Sequence, residues 1–272
     1  MKTFNGKAIY QPAGRAAEYA QWACNFYTGC SNNCDYCYCK RGRMAHTWSN
    51  MPKLKARFKN ETHALEVFEK ELKINLTELQ KHGLFFSFTT DPMLPETKCL
   101  TWEAIAIAAR NGIRSKTLTK KTDWVFPVLA LNSIATKREY AKYWAIGFTL
   151  TGHDELEPGA STNNERIEAM RKLHDAGFLT WASIEPIVDF RTSGMIIKKC
   201  IEYDWCNLYK IGLMSGKKYE QKEIRDFVDM VLTYADYSDA KIYFKDSLLA
   251  QAGIRYEELP ENCVKRDYNI FD

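Results

Sequence analysis

The sequence feature that most constrains this chain is a group of three cysteines within eight residues. Cys30, Cys34 and Cys37 follow a C-x3-C-x2-C spacing in the run GCSNNCDYCYC, and Tyr36 precedes the last of the three. Three thiolates so close together on a short loop indicate a metal site more strongly than three unrelated core cysteines. A [4Fe–4S] cluster usually takes four thiolates from its protein, so a set of three leaves one iron free to bind another molecule.

A structural zinc site is the alternative interpretation of the same cysteines. Cys39 or Cys24 could complete a tetrahedral four-cysteine site. Zinc ribbons usually pair two C-x2-C units across a longer loop, however, and the sequence holds no second unit. Cys24 and Cys39 are individually weak ligand candidates, because a lone cysteine is more often a small buried hydrophobic residue. The spacing favours an iron–sulfur cluster and leaves zinc open.

The length is sufficient for one large α/β domain, although length alone would also allow two. The chain has 272 residues, of which 46% are hydrophobic and 26% are charged. These values are typical of a globular protein with a full core. No linker rich in Pro, Gly or Ser divides the sequence. We therefore expect a single domain over 1–272, with an N-terminal extension 1–21, a core 22–216 that contains the cysteine loop 29–39, and a C-terminal helix, short strand and tail over 217–272.

Cysteine usage and hydropathy predict a cytoplasmic protein without membrane contact. Five of the nine cysteines lie between Cys24 and Cys39, and the other four are scattered. This pattern is typical of a reducing compartment and one metal site, and not of a disulfide-bonded secreted protein. The first residues contain no apolar signal segment, and no run approaches the ~18 apolar residues that span a bilayer.

Positive charge concentrates directly after the cysteine motif. The formal net charge is +4, yet residues 40–59 contain seven basic residues and no acidic one, so the rest of the chain carries 31 basic against 34 acidic residues. His46, Trp48 and Phe58 interleave this segment, as aromatic residues do on nucleic-acid surfaces. Segment 40–59 is explained either as a solvated basic face or as a surface that binds nucleic acid, and the charge asymmetry is the observation that supports nucleic acid as a partner. The seven are Lys40, Arg41, Arg43, Lys53, Lys55, Arg57 and Lys59.

After the cysteine loop in the sequence, apolar strand-like runs alternate with amphipathic helical patterns. The spacing predicts helices over 61–82, 101–111, 123–133, 162–177, 194–202 and 220–235. It predicts strands over 84–88, 114–119, 143–150, 179–184, 207–214 and 241–244. This alternation indicates a parallel sheet, because a parallel return needs a crossover of helix length. About six strand–helix units are fewer than the eight of a closed barrel, and the count alone also allows a doubly wound open sheet.

Polar residues follow the predicted strands, at the edge where parallel α/β folds collect their functional groups. Each such group alone is equally well explained as a turn or a helix cap. Five successive strands with polar groups are more than loops require, so we expect a site at this edge. The groups are Thr89–Asp91, Thr119–Lys121, Thr151–Asp154, Glu185 and, within the sixth strand, Lys210.

The cysteine spacing, with an aromatic residue before the third thiol, resembles the signature of the radical S-adenosylmethionine (SAM) superfamily. The segment Ile9–Tyr38 is similar to the opening of its spore photoproduct lyase-like branch, and the likeness continues through TTDP, the Thr-Lys pair, GFTLTG, segment 157–166 and IEP. The resemblance implies a partial (β/α)6 TIM-like barrel, open on one side. It also implies a [4Fe–4S] cluster whose open iron binds SAM, reductive cleavage of SAM to a 5′-deoxyadenosyl radical, and an electron donor such as flavodoxin or ferredoxin.

The resemblance also implies roles for individual residues. Cys30, Cys34 and Cys37 would hold the cluster, and Tyr36 would lie against the adenine of SAM. Lys120 would meet the SAM carboxylate. The remaining predicted SAM contacts are Thr90, Asp91, Thr149, Arg166 and Glu185, of which Arg166 would brace the site and Glu185 rests only on its position at a strand end.

One residue departs from the lyase pattern. In spore photoproduct lyase, a cysteine just before the Thr-Ser-Asp of the second strand returns a hydrogen atom to the product, whereas Phe88 stands here. We therefore do not expect thymine-dimer reversal by the lyase's route. Cys99 and Cys206 could substitute, although each is more typical of a core residue.

The sequence predicts an enzyme that removes hydrogen from a substrate, with nucleic acid or a nucleotide as the favoured class and no catalytic side chain identified. The alternatives are an activase or peptide modifier of the same superfamily, and a zinc-stabilised nucleic-acid-binding module. The net charge and the segment 40–59 are what favour an anionic substrate.

Overall fold

The computed structural model describes residues 3–41, 44–130, 134–236 and 238–272, and the side chains of 134–138 are not described. Ten strands are present in these parts of the chain. They are β1 (Ile9–Tyr10), β2 (Ala23–Cys24), β3 (Tyr27–Thr28), β4 (Lys53–Leu54), β5 (Leu84–Phe86), β6 (Ser115–Thr119), β7 (Trp144–Thr149), β8 (Thr180–Ile187), β9 (Leu208–Leu213) and β10 (Lys241–Phe244).

Eight of the strands form one sheet in the order β1-β2-β5-β6-β7-β8-β9-β10. β1 pairs with β2 in antiparallel register, and every other neighbouring pair is parallel. β3 and β4 form a separate antiparallel pair. The sheet does not close between β1 and β10, so the predicted open, partial TIM-like barrel is confirmed.

Helices connect the parallel strands, as crossover connections require. They are α1 (Glu61–Ile74), α2 (Leu76–His82), α3 (Lys98–Arg110), α4 (Val125–Leu129), α5 (Ile134–Tyr143), α6 (Asn163–Asp175), α7 (Phe190–Glu202), α8 (Gln221–Ala235) and α9 (Asp246–Ala252). The capping box at the start of α6 is present, because Thr162 accepts from the Glu165 backbone while the Glu165 carboxylate accepts from the Thr162 backbone.

Several element boundaries differ from the sequence prediction. The helix expected over 61–82 breaks at Asn75, whose side chain donates to the Glu71 carbonyl. α7 starts four residues earlier than expected, because Asp189 caps it by accepting from Thr192. The sequence missed α5, α9 and the strands β1 to β3, which are only two residues long. Residues 131–133, at the end of the helix predicted over 123–133, lie outside the described residues.

An apolar cluster fills the interior of the barrel toward the amino ends of its strands. Its members come from β2, β5, β7, β8, β9 and β10, together with Ile270 near the C-terminus. The members on these strands include Phe85, Trp181 and Tyr243. Lys210 of β9 is buried among them. This packing fills the barrel interior at the amino ends of the strands. The interior is open at the carboxyl ends of the strands.

Candidate functional site

A cavity of about 370 Å³ opens at the carboxyl ends of the strands. The loop after β3 contributes Cys30, Cys34 and Cys37 to its wall. The other walls are formed by the ends of β5, β6, β7, β8, β9 and β10. Tyr19, from the N-terminal part of the chain, also lines the cavity. One continuous space therefore joins the cysteine loop to the ends of six strands.

The cysteine loop is held in place by backbone contacts. The Gly29 N–H donates to the Thr89 carbonyl at 3.1 Å, and the Cys30 N–H donates to the Ser49 carbonyl at 3.0 Å. Gly29 has φ +95°, and a Cβ atom there would lie 2.5 Å from the Met51 carbonyl oxygen. Only glycine combines this backbone conformation with such close approach. The loop is therefore fixed immediately before its first thiol.

The arrangement of the cysteines fits a cluster better than zinc. Among the residues that the structure describes, no three Cys, His, Asp or Glu side chains converge on a point where one metal ion could bind. Zinc needs four ligands around one ion, whereas cluster cysteines bind separate irons. Cys24 is buried in β2 and does not line the cavity, while Cys39 does.

Asp91 joins the cysteine loop to β6. Its Oδ2 accepts from the Asn32 side chain at 2.7 Å and from the Lys120 N–H at 2.8 Å. Its Oδ1 accepts from the Thr119 hydroxyl at 2.7 Å and from the Met93 N–H at 2.9 Å. These four bonds fill the lone-pair sites of a carboxylate. Asp91 lines the cavity, but its geometry favours positioning over direct SAM contact.

Arg166 lies behind the cavity wall and acts through two other residues. Its side chain is fully buried, donates to the Thr149 carbonyl and pairs with the buried Glu157 carboxylate. The second Glu157 oxygen accepts from the Tyr36 hydroxyl. Tyr36 lines the cavity and Arg166 does not. Glu157, which the sequence analysis did not single out, therefore links Arg166 to the loop of cysteines.

The loop that carries Glu157 packs on the cysteine loop. The Gly159 N–H donates to the Asn32 carbonyl at 3.0 Å, and the Asp35 N–H donates to the Leu156 carbonyl at 2.9 Å. A Cβ atom at Gly159 would lie 2.0 Å from the Ser31 carbonyl oxygen. The close contact requires glycine at this position and explains why the segment after β7 is part of the site.

Four further residues present polar groups to the cavity. Lys120 lies with its Nζ 5.6 Å from the centre of the Tyr36 ring. Thr149 ends β7 and is buried. The Thr90 hydroxyl and the Asn32 Oδ1 are buried and have no hydrogen-bond partner among the described residues. Buried polar atoms are normally paired, so these two are available to a bound molecule. Sequence reasoning identified the first three and missed Asn32, which lies between two cluster cysteines.

Glu185 has its partners on the other side of the cavity. Lys245, which follows β10, donates to both Glu185 oxygens at 2.9 and 3.0 Å. Tyr19 also donates to Glu185. Lys210, in contrast, donates to the carbonyls of Glu18 and Tyr19 and does not line the cavity. Burial lowers the pKa of Lys210 well below its usual value, and Lys116 and Lys245 add to the effect.

Phe88, which stands where the sequence resemblance places the lyase cysteine, lines the cavity. Its ring lies 4.5 Å from that of Phe85, and its carbonyl accepts from Tyr38. Cys99 is exposed on α3 and Cys206 is buried, and neither lines the cavity. The structure therefore brings neither of these thiols to the place of the lyase cysteine.

His153 belongs to a surface network and does not line the cavity. Its Nδ1 lies 2.8 Å from Glu155, and its Nε2 lies 2.6 Å from the capping carboxylate of Asp189. The structure supports the helix-cap explanation of this strand-end group and not a role in the cavity.

The basic segment is only partly free. Lys40 donates to the Asn33 carbonyl at 3.0 Å, and Arg57 donates to the carbonyls of Gly6 and Lys7. Burial lowers the pKa of Lys55 to about 8. Phe58 packs in the core, whereas Trp48 lines the cavity. The exposed basic residues are Arg41, Lys53, Arg57 and Lys59, and Arg43 lies outside the described residues.

No helix in the described parts of the chain is both long and apolar enough to cross a membrane.

The family model of the radical SAM superfamily matches residues 24–192. No curated protein sequence matches the chain.

The fold is similar to solved structures of spore photoproduct lyase. One, a variant with bound AdoMet and dinucleoside spore photoproduct, superposes with a TM-score of 0.63 at 14% identity, over 83% of this chain and 76% of that chain. Another, complexed with dinucleoside spore photoproduct, gives a TM-score of 0.63 at 14% identity, over 86% and 79%. At this low identity, the similarity to the solved structures shows the fold alone. The family model covers more than half of the chain and therefore shows the family. The chain belongs to the radical SAM superfamily, whose members use a [4Fe–4S] cluster and SAM.

Proposed function

We propose that this radical SAM enzyme removes a hydrogen atom from a nucleic acid or nucleotide. The observation that carries the proposal is the single cavity that joins three cysteines, the unpaired Thr90 hydroxyl and Lys120 to the ends of β8–β10. The similarity to lyase structures that hold a dinucleoside adds support for the substrate class.

The described residues fit both cofactors. Cys30, Cys34 and Cys37 would bind the cluster, because all three line the cavity on a loop fixed by Gly29. The cluster and SAM supply the one-electron chemistry that breaks an unactivated C–H bond. The protein binds the cofactors, positions them and excludes water.

The SAM contacts that we propose lie on the β5–β7 side. Thr90, Lys120, Thr149 and Tyr36 line the cavity there and would contact SAM directly. Asp91 and Arg166 would position those contacts, Asp91 through the Lys120 backbone and Arg166 through Glu157. The half-buried Lys120 ammonium lines the cavity and matches an anionic carboxylate.

Two macromolecular partners follow from this proposal. The exposed cations of the basic segment would contact phosphates, and an electron donor of the flavodoxin or ferredoxin type would reduce the cluster in the cytoplasm. The Lys53→Gln/Lys59→Gln variant should lower the slope of log affinity for nucleic acid against log salt by about two. The matched control is Lys222→Gln, an exposed lysine of α8. An unchanged slope would mean that the segment is a solvated face.

The decisive experiment is anaerobic reconstitution with iron, sulfide, SAM and a reductant. We expect a cluster-bearing protein that forms 5′-deoxyadenosine, at a higher rate with DNA, RNA or nucleotides than with peptide pools. Zinc in place of iron would exclude radical chemistry. Stimulation by one protein or peptide alone would favour the activase or peptide-modifier alternative.

A further inference from the structure

The β8–β10 side of the cavity carries charged groups that the proposed SAM contacts leave unused. Besides Glu185, the Lys245 ammonium lies 3.3 Å from Glu18. The Ser183 hydroxyl lies 2.8 Å from the Tyr19 hydroxyl, which itself donates to Glu185. All of these except Glu18 line the cavity. Buried charges are costly to bring together without a purpose, and here they face an open space.

The sheet order separates this group from the proposed SAM contacts. Thr90, Lys120 and Thr149 follow or end β5, β6 and β7, whereas Glu185 and Lys245 belong to β8 and the end of β10. These strands lie farther along the sheet from the cysteine loop than β5 and β6 do. A molecule that contacts Glu185 and Lys245 would therefore lie beside SAM.

The polar groups on this side present an acceptor next to a donor. The Glu185 side chain is 18% exposed and accepts three hydrogen bonds in all, fewer than the roughly four that a carboxylate can take. Lys245 is a donor only. Burial and the neighbouring carboxylate raise the pKa of Tyr19 well above its usual value, so its hydroxyl stays protonated. Adjacent donors and acceptors match the polar edge of a nucleobase.

Aromatic rings line the space between the two sides. The rings of Tyr19 and Phe88 meet edge to face at 6.3 Å, and Phe85 lies against both. All three line the cavity. Aromatic faces bind planar bases by stacking whatever the base sequence. Phe88 thus offers a ring surface at the position where the lyase has a thiol.

Arg15 supplies a cation at the rim. It is exposed, lines the cavity and donates to the Ser215 hydroxyl. Among the described residues it has no acidic partner within ion-pair distance, unlike Lys245. A guanidinium with free donors is well suited to bind a phosphate group.

We propose that the β8–β10 side of the cavity is a nucleotide subsite. Glu185 and Lys245 contact the polar edge of the base, Tyr19 and Phe88 pack against its face, and Arg15 binds its phosphate. Glu185 is therefore a substrate contact in place of the SAM contact expected from sequence. This inference rests on the proposed function and narrows it: a nucleic acid must present one base outside its stack, because a stacked base cannot reach residues inside the barrel.

The test measures binding of the four common deoxynucleosides and of their 5′-monophosphates to reconstituted enzyme with SAM, by titration calorimetry. We expect the monophosphates to bind about tenfold more tightly than the nucleosides. Arg15→Gln should remove that difference and leave nucleoside affinity unchanged. Glu185→Gln and Phe88→Leu should each weaken both ligand types about tenfold. Lys222→Gln, on the exposed face of α8, should change neither.

Phe88→Leu leaves the Glu185–Lys245 pair intact, so it decides the question if Glu185→Gln does not fold. The subsite is overturned if no nucleoside or nucleotide binds, if the Phe88 variant binds both as tightly as wild type, or if Arg15→Gln weakens both ligand types equally. If peptides bind there and nucleosides do not, the side is a peptide subsite and the proposal is wrong.

The two proposals fail in different ways. If nucleic acid stimulates SAM cleavage equally in wild type, Glu185→Gln and Phe88→Leu, the subsite is wrong and the proposed function survives. If nucleotides bind as predicted but neither nucleotides nor nucleic acids change the rate of SAM cleavage, the subsite stands and the proposed function is wrong.

Discussion

The two sides of the cavity handle buried charge differently. On the β5–β7 side, Asp91 accepts four protein hydrogen bonds, and Arg166 and Glu157 satisfy each other behind the wall. On the β8–β10 side, Glu185 and Lys245 form a pair that faces the cavity itself. On the first side, the charges of Asp91, Glu157 and Arg166 are paired without a ligand, and the Lys120 ammonium is the charge left to meet one. On the second side, both members of the ion pair line the cavity.

This difference is physically reasonable for a site that binds one constant and one variable molecule. A cofactor is bound best by contacts whose supporting groups are already locked, because locked groups lose little freedom on binding. A substrate must enter and leave in each cycle, and a charged pair that lines the cavity can exchange partners with it. We therefore propose a preorganised cofactor side on β5–β7 and a substrate side on β8–β10.

The largest expected effect is on the cysteine loop, because cofactor binding on the β5–β7 side depends on it. Cys34→Ala should abolish cluster binding and 5′-deoxyadenosine formation, because two thiolates cannot replace three. Iron and sulfide analysis after anaerobic reconstitution measures this. Cys24→Ala is the matched control, since Cys24 is buried outside the cavity. A full cluster in the Cys34 variant would refute the assignment of the loop.

Arg166→Met should destabilise the β5–β7 side of the cavity, where Arg166 and Glu157 are paired with each other. It leaves the Glu157 carboxylate buried without its cation, which typically costs about 3–5 kcal/mol of the free energy of unfolding. Urea denaturation measures the loss. Arg171→Met on the same helix is the control, because the ion pairs of Arg171 with Glu168 and Asp175 lie on the surface, and little change is expected. Equal losses in the two variants would show that Arg166 does not brace the site.

Sequence and structure agree best where the signal lies in consecutive residues. The cysteine loop, the TTDP segment and the capping box of α6 each fit within about a dozen residues, and their local spacing predicted them. Lys120 was found because it stands at the end of a predicted strand, whereas Thr149 lies inside the predicted strand 143–150 and was implied only by the family resemblance. The predicted strands β6 to β10 were placed within a few residues, because apolar runs mark them in the sequence.

The substrate side could not be predicted in this way. Tyr19 precedes strands of only two residues, which are too short to produce a hydrophobic pattern. It lies at the cavity because the short helical segment 14–18 directly precedes it and sets the course of the chain. Lys245 directly follows a predicted strand, so the strand-end rule could have found it. Its pairing with Glu185, sixty residues earlier in the chain, depends on β8, β9 and β10 being neighbours. Sequence spacing does not encode that adjacency.

Thr90→Val tests whether the two sides bind separate molecules. The valine has nearly the shape of threonine and removes a buried hydroxyl without a protein partner, so stability should not fall. SAM affinity should fall about tenfold, while nucleotide affinity stays the same. Equilibrium binding of each ligand measures both. Thr101→Val, which removes a hydroxyl bonded to the Thr97 carbonyl, should lower stability and leave SAM affinity intact. If Thr90→Val weakens nucleotide binding equally, the division of the cavity is wrong.

The smallest expected effect concerns the contact between the loops that follow β7 and β8, where the two sides meet. Burial lowers the pKa of His153, but its hydrogen bonds to Glu155 and Asp189 outweigh this and raise it above the usual value of about 6.5. A raised pKa in the folded state means that this stabilisation is fully present below about pH 6.5 and is lost as pH rises through the folded pKa. The pKa of Asp189 is lowered, so the stabilisation that its carboxylate contributes is lost as pH falls through that lowered pKa.

His153→Gln should therefore reduce the free energy of unfolding more at about pH 5.5 than at about pH 8.5. Urea denaturation of wild type and variant at the two pH values measures this, with His46→Gln as the control, since that histidine is exposed and has no carboxylate within ion-pair distance among the described residues. SAM and nucleotide affinities should not change, because His153 does not line the cavity. A stability difference that stays constant with pH would show that the imidazolium does not join the two loops.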